Sequence, residues 1–324
     1  MCTAISFLTR DHYFGRTLDL EHTYTEAVTI TPRRFPLSYR ANETDRDHCA
    51  IIGIATVADD YPLYYDAVNE HGLCMAGLNF VGNAVYHPCR DGKINLAQFE
   101  LIPWILGKCR TVSEARWELS RINLIDQAFR PDLPTAQLHW LISDRSGSVV
   151  AEPMSEGLVI HDNPLEVLTN NPSFPFQLEH LALYRHLGAV TSEQRCFREP
   201  PLPVYSRGMD AVGLPGDWSS PSRFVRAAFV KGNAAVSDTD TAAISQCFHI
   251  LGTVEQVAGC VAAENGEWVR TQYTACCNAD TGVYYYTTYG NRRITAVSLQ
   301  KENPDGDQLH TYPLITQEQI HLEN

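Results

Sequence analysis

Apolar residues recur at two different periods along this 324-residue chain. Up to about residue 80 the period is that of strands. Residues 3–8 form a short apolar-rich run, Arg10-Asp11-His12 has turn chemistry, and residues 13–20 return. Residues 27–31 alternate with β-branched side chains, and 51–57 and 73–79 read as buried strands beside glycine. The period then turns helical: Leu96, Phe99, Ile102, Ile105 and Leu106 predict a helix over 95–109. Thr111-Val112-Ser113-Glu114 is a capping-box pattern that opens a second helix through about Asn123.

Strands resume at 137–143, and the turn Asp144-Arg145-Ser146-Gly147 joins them to 148–153 as a hairpin. Residues 157–161 and 166–169 continue the meander, 222–231 and 238–251 read as helices, and 271–277, 282–288 and 293–299 as final strands. Runs of strands followed by runs of helices predict an α+β arrangement of antiparallel sheets covered by helices. No linker, repeat or low-complexity tract divides the chain, so one domain over 1–324 is expected. Residues 199–217, rich in Pro and Gly, are the longest irregular stretch, stiffened by Pro200, Pro201 and Pro203.

Composition narrows the function. The chain is 44% hydrophobic and 19% charged, ordinary for a globular protein, with a formal net charge of −13. No basic run of five or more residues occurs, which argues against nucleic acid as a partner. The most apolar stretch, 49–58, is half of what a membrane span needs, and no basic n-region precedes an apolar segment at the start, so a cytoplasmic location is expected. The ten cysteines include no C-x-x-C pair and are expected to be reduced thiols. His87 and Cys89 lack the paired spacing of a zinc site, and neither metal nor cofactor is expected.

Cys2 stands apart by position. Met1 precedes a small residue, and its removal would give Cys2 both a thiol and a free α-amine. An unperturbed thiol, with a pKa of about 8.5, is only a few per cent thiolate at neutral pH, and a neutral amine on the same residue can take its proton. Nucleophile and base then come from one residue, and none of the twelve histidines is needed. An attached Met1 would turn that amine into an amide with no basic lone pair. Phe14-Gly15-Arg16-Thr17-Leu18-Asp19 follows on the returning strand, where Asp19 could orient the amine and Arg16 favour the thiolate.

Several segments in order carry a resemblance to the choloylglycine hydrolases, the family of bile salt hydrolases and penicillin V acylases. They are Met1-Cys2-Thr3, the segment from Phe14 to Asp19, Asp66-Ala67-Val68-Asn69-Glu70-His71-Gly72-Leu73 and Met75-Ala76-Gly77-Leu78-Asn79-Phe80. Leu168-Thr169-Asn170-Asn171-Pro172, Gly213-Leu214-Pro215-Gly216-Asp217, Ser222-Arg223-Phe224 and Thr271-Gln272-Tyr273-Thr274 complete the series.

The resemblance implies the four-layer αββα Ntn-hydrolase sandwich, two antiparallel sheets between helical layers, in a bacterial homotetramer with residues 199–217 as an oligomerisation arm. It implies Cys2 as nucleophile with its α-amine as base, Asp19 orienting that amine, and Arg16 and Arg223 as cations near the thiol. Asn79 and Asn170 would stabilise the oxyanion, one through its backbone N–H and one through its side chain.

The expected substrates are glycine- and taurine-conjugated bile salts. The alternatives are penicillin V or another N-acyl compound such as an acyl-homoserine lactone, and, from another class, a non-catalytic thiol or ligand-binding protein. Asn79 favours bile salts, because penicillin V acylases often carry Tyr there. The walls of an apolar substrate groove are expected from Leu18, from Tyr61, Leu63 and Tyr65 on one loop, and from Ile125, Phe129 and Leu133 on another.

Overall fold

Alternation of side chains across a pleated strand sorts the apolar residues into two cores, one on each face of a single sheet. Ile52 and Ile54, Cys74, Ala76 and Leu78, Leu141 and Val150 point one way. Ile51 and Ala55, Leu73 and Met75, Trp140 and Ile142, Val149 and Ala151 point the other. A sheet apolar on both faces must be covered on both, and it is.

The structure is a computed structural model that describes residues 1–190, 204–235 and 238–324. The sheet with two cores has eight strands, in the order β11 (Gly157–Asp162), β10 (Gly147–Met154), β9 (Leu138–Asp144), β6 (Cys74–Asn79), β5 (Tyr61–Asn69), β4 (Ile51–Ala58), β3 (Ala27–Thr31) and β16 (His310–Pro313). The other large sheet has six: β12 (Val167–Leu168), β1 (Cys2–Leu8), β2 (His12–Leu20), β13 (Arg270–Asn278), β14 (Val283–Thr288) and β15 (Asn291–Ser298). Every pairing within both is antiparallel. Helices α1 (Leu101–Lys108) and α2 (Val112–Leu119) lie on the outer face of the eight-stranded sheet. Helices α4 (Ser220–Asn233) and α5 (Asp240–Gly252) lie on the outer face of the six-stranded sheet, with α3 (Phe174–Leu181) packed against α4. The α+β, four-layer αββα arrangement expected from the sequence is the one observed.

The strands and the two C-terminal helices fall close to the predicted runs, and the departures have local causes. Strand β5 was not legible because Pro62 and a cluster of tyrosines break its alternation. Its pairing with β6 is confined to Asp66–Val68, so Pro62 meets no ladder on that side. Tyr61, Leu63 and Tyr65 therefore stand on a strand, not a loop. The helix expected over 95–109 begins only at Leu101, because β7 (Ile94–Ala97) pairs in parallel with β8 (Ile122–Ile125). That pairing also ends α2 at Leu119 and puts Ile125 on a strand, where a loop was expected. Thr111 caps α2 as anticipated, its hydroxyl accepting the Glu114 N–H at 3.2 Å, but the Glu114 carboxylate takes the Arg110 N–H instead of closing the box. Strand β16, four residues long, is too short to register as a period, and α3 is masked by Pro172 and Pro175 at its start.

Of the expected arm, 199–203 lie outside the described residues; 204–217 are irregular apart from a helical turn at Met209–Ala211. Among the described residues no helix is long and apolar enough to cross a membrane.

Strands β4 and β5 approach closely at Gly53. A Cβ there would stand 2.1 Å from the Asp66 carbonyl oxygen and 2.5 Å from the Ala67 Cβ. Neither neighbour can yield without opening the ladder. Gly53→Ala is expected to lower unfolding stability by about 1–3 kcal/mol, the usual cost of overpacking. Denaturant titration checks this; an unchanged midpoint would show that the two strands part freely.

Candidate active site

Strand β1 runs antiparallel to β2 with Cys2 opposite Leu18 and Ala4 opposite Arg16. The turn between them thus returns the Phe14–Asp19 segment beside the N-terminus. Strand β2 is itself paired on its far side with β13, so its polar residues have no route to water. Arg16, Thr17 and Asp19 are all fully buried, as is Arg223 on α4. A buried charge is costly unless partnered, and each of these is.

Cys2 is 2% exposed, yet it borders an open cleft. Its backbone nitrogen donates to Asn170 Oδ1 at 2.8 Å, and its carbonyl accepts from Arg223 Nη1 at 2.5 Å. The same guanidinium donates to Thr3 Oγ1 at 2.8 Å and, through Nη2, to Asn170 Oδ1 at 2.7 Å. The Met1 amine donates to the Asp19 carbonyl, and the Met1 carbonyl accepts the Asp19 N–H at 2.8 Å. Asn170, which follows β12, is in turn fixed by Ser220 at the start of α4, whose hydroxyl accepts its N–H at 2.8 Å. Burial pulls the Arg223 pKa below its ordinary value, against the opposing influence of Asp19 and Cys2.

The Asp19 carboxylate is held by two hydroxyls, Thr271 at 2.7 Å and Thr17 at 3.2 Å. Burial raises its pKa, opposed by Arg223, the chain's amino terminus, the Thr271 bond and Arg16. Arg16 crosses between the sheets. Its Nη1 donates to the Tyr65 carbonyl at 3.1 Å and the Gly77 carbonyl at 3.2 Å, and lies 3.7 Å from Asp66 Oδ1. Asp66 also accepts Tyr273 Oη–H at 2.6 Å and the hydroxyl of Tyr284. Burial alone would favour neutral Arg16, but the electrostatic influence of its surroundings, Asp66 among them, outweighs it, and its pKa is raised. Its Nη2 has no hydrogen-bond partner.

Asn79 ends β6, opposite Leu138. The next pair is joined by the Phe80 N–H donating to the Gln137 carbonyl at 2.7 Å. Antiparallel pairs alternate between bonded and unbonded, so the Asn79 backbone groups turn away from β9. On the other side β5 leaves the ladder at Asp66. The Asn79 carbonyl accepts from Asn170 Nδ2 at 2.8 Å, which uses one of that nitrogen's two hydrogens.

The cleft beside Cys2 has a volume of about 350 Å³, and its walls are mainly apolar. Leu18, Leu63, Tyr65, Phe129 and Leu133 border it. Tyr61 and Ile125 do not. Tyr61 lies behind the wall, its ring centroid 5.8 Å from that of Phe99 and 5.9 Å from that of Phe129, while Ile125 is buried on β8. Sequence reasoning missed Gln98, Phe99, Ile102 and Trp140, which also line the cleft. It also missed the direct contact of Asn170 with the Cys2 nitrogen. Thr271 and Tyr273 fell within a quoted motif, but nothing in their spacing indicated that they hold Asp19 and Asp66. His87 and Cys89 are not part of this site.

The model of the linear amide C–N hydrolases, choloylglycine hydrolase family, matches residues 2–312. A protein of Lactiplantibacillus plantarum named "Bile salt hydrolase/transferase" is 48% identical over 324 residues, covering 100% of both chains. Among solved structures, the C2A mutant of the conjugated bile acid hydrolase from Clostridium perfringens superposes with a TM-score of 0.93 at 34% identity, covering 100% of each chain. The penicillin V acylase from Agrobacterium tumefaciens shares the fold, with a TM-score of 0.75 at 21% identity, covering 96% of this chain and 90% of that one. A match of this extent, on a chain that holds its second residue in a web of buried donors, makes this protein a member of the choloylglycine hydrolase family of linear amide C–N hydrolases.

Proposed function

We propose that this enzyme hydrolyses the amide bond of glycine- and taurine-conjugated bile salts, with the Cys2 thiol as nucleophile and the Cys2 α-amine, freed by loss of Met1, as base. The observation that carries the chemistry is the cysteine at position 2, its nitrogen against Asn170 Oδ1 and its side chain at an apolar cleft. The name and full-length identity of the Lactiplantibacillus plantarum relative support the substrate. A rigid, largely apolar steroid suits a cleft of this lining.

In this reading the thiol proton passes to the amine, and the thiolate attacks the scissile carbonyl. Arg16, with an unshared Nη2 donor, favours the thiolate. Asn170 accepts from the amine, and Asp19, beside the N-terminus, stabilises its protonated form. The developing oxyanion takes hydrogen bonds from the Asn79 N–H and the second Asn170 Nδ2 hydrogen; one such donor is typically worth about 10²–10³ in rate. The protonated amine then gives its proton to the departing glycine or taurine nitrogen. Water, deprotonated by the same amine, resolves the thioester to free bile acid and the thiol.

The same machinery would cleave penicillin V or another N-acyl amide, and the choice between them lies in the cleft. We further propose a cytoplasmic homotetramer in which 199–217 reaches a neighbouring subunit. If so, deleting 198–206 should lower the sedimentation coefficient of the assembly, and an unchanged tetramer would remove the arm.

Cys2→Ser is expected to abolish turnover with the fold intact, because a hydroxyl is a far poorer nucleophile when only an amine assists it. Retention of more than about a tenth of the wild-type rate would remove Cys2 from the mechanism. Intact-mass analysis of active enzyme should find Met1 gone; full specific activity in protein that keeps it would rule out the amine as base. Finally, kcat/KM for glycocholate should exceed that for penicillin V, the ratio being a direct measure of differential transition-state binding. Equal values, or the reverse order, would favour the acylase reading.

A further inference from the structure

The two oxyanion groups of the proposed reaction come from different sheets. Asn79 ends β6 of the eight-stranded sheet, and Asn170 follows β12, the edge of the six-stranded one. Their spacing therefore depends on what joins the sheets at that point. His139 on β9 makes such a join. It is fully buried and does not line the cleft. Its Nε2 donates to the Thr169 carbonyl at 2.9 Å. A carbonyl only accepts, so that ring nitrogen carries the hydrogen.

The Thr169 carbonyl and the Asn170 N–H belong to one planar peptide unit. Ser220 Oγ accepts that N–H at 2.8 Å, so both polar groups of the plane are held, one from the eight-stranded sheet and one from α4. Fixing the plane sets the direction in which the Asn170 side chain leaves the backbone. His139 touches the other segment too. Its ring stacks on Phe80, the residue after Asn79, with centroids 4.4 Å apart and planes 8° from parallel. One side chain thus contacts the chain neighbour of each oxyanion group.

Glu152 on β10 orients the ring. Its Oε1 lies 3.1 Å from His139 Nδ1 and accepts the Phe174 N–H at 2.9 Å. With Nε2 committed to Thr169, the Nδ1–Oε1 contact holds one proton shared between ring and carboxyl. The ring cannot turn over without losing both bonds. The other oxygen, Oε2, lies 3.4 Å from His161 Nε2. With both nitrogens engaged inside the protein, this imidazole is no general base and acts on geometry alone.

We infer that His139, oriented by Glu152, is a positioning residue for the oxyanion hole: it holds the Thr169–Asn170 peptide where Asn170 and Asn79 can meet the same oxygen. The inference rests on the reading of Asn79 and Asn170 as oxyanion donors and is independent of the acyl group. Misplacing a positioned group by about 1 Å can cost about 10² in rate.

The test uses the processed enzyme, glycocholate (or penicillin V, should that be the substrate cleaved) and two variants. His139→Gln keeps an amide nitrogen where Nε2 stands, whereas His139→Asn, a methylene shorter, cannot span to Thr169. Both lose the ring and its stacking on Phe80. His139→Asn is expected to lower kcat by about tenfold or more with KM within about threefold, while His139→Gln keeps kcat within about threefold of wild type. Iodoacetamide alkylates Cys2 by displacing iodide from a saturated carbon and forms no oxyanion, so its rate should stay within about twofold in both variants. Equal kcat in the two variants would overturn the role, since it would leave only ring packing or no effect. An alkylation rate that falls in step with kcat would overturn it as well. If His139→Asn does not fold, His139→Gln decides: kcat within about fivefold of wild type supports the role, and a larger loss with the donor retained overturns it. Asn170→Ala separates the two readings. Wild-type kcat there would overturn the oxyanion assignment and this role with it. A loss there beside an unimpaired His139→Asn would overturn the role alone.

Discussion

Arg16, Asp19, Asp66 and Arg223 put charge in the dry interior close to Cys2, and the arrangement of sheets and helices depends on keeping each of them hydrogen-bonded. Arg16 on β2 meets Asp66 on β5 and the carbonyls of Tyr65 and Gly77, so the ion pair spans the two sheets. Asp66 is completed by Tyr273 and Tyr284, which return the link to the six-stranded sheet. Arg223 fastens α4 to β1 through the Cys2 carbonyl and Thr3. Removing one partner from such a set strands the other charge, at about 3–5 kcal/mol. The layers are thus fixed relative to one another at the spot where the N-terminus ends.

That spot is also where the reaction is proposed to happen, and the same bonds serve both ends. An N-terminal residue is ordinarily among the most mobile of a chain. Here Cys2 is bonded at both its nitrogen and its carbonyl, and Leu18 lies across from it on a strand with neighbours on both sides. Toward the other end of β1 a second polar link does similar work: Ser6, His12 and Ser143 join β1, β2 and β9, with Ser6 Oγ 2.8 Å from His12 Nε2 and 2.6 Å from Ser143 Oγ. Burial lowers the His12 pKa, which keeps that junction neutral. Polar contacts at two points along β1 hold the sheets in register while the apolar contacts between them supply most of the cohesion.

The cleft follows from an irregularity. Strand β5 shifts register between its pairs with Ile54 and Ala55 and leaves β6 beyond Asp66. The backbone of Asn79 is left free to face Asn170. A regular eight-stranded sheet would have closed this gap. Phe99 and Phe129 pack edge to face with ring centroids 5.2 Å apart, and Tyr61 supports both. The cleft wall is therefore continuous with the outer core, although Phe129 and Leu133 lie in the irregular segment between β8 and β9.

The order of strands and helices was legible in the sequence because burial on a pleated or helical face imposes periods of two or 3.6, and β1, β2, β4 and the C-terminal helices obey them. The family resemblance carried by the order of motifs implied Cys2, Arg16, Asp19, Asn79, Asn170 and Arg223 as a set. Strand β5 escaped because Pro62 and its tyrosines respond to the cleft and to a missing neighbour, neither of which is a local property. Tyr61 and Ile125 were expected at the groove on composition, but only packing decides which side of a wall an apolar residue faces. The same holds for Asn170 at the Cys2 nitrogen. Such contacts join residues far apart in the chain, and a hydrogen bond between them depends on how layers stack, which no sequence period records.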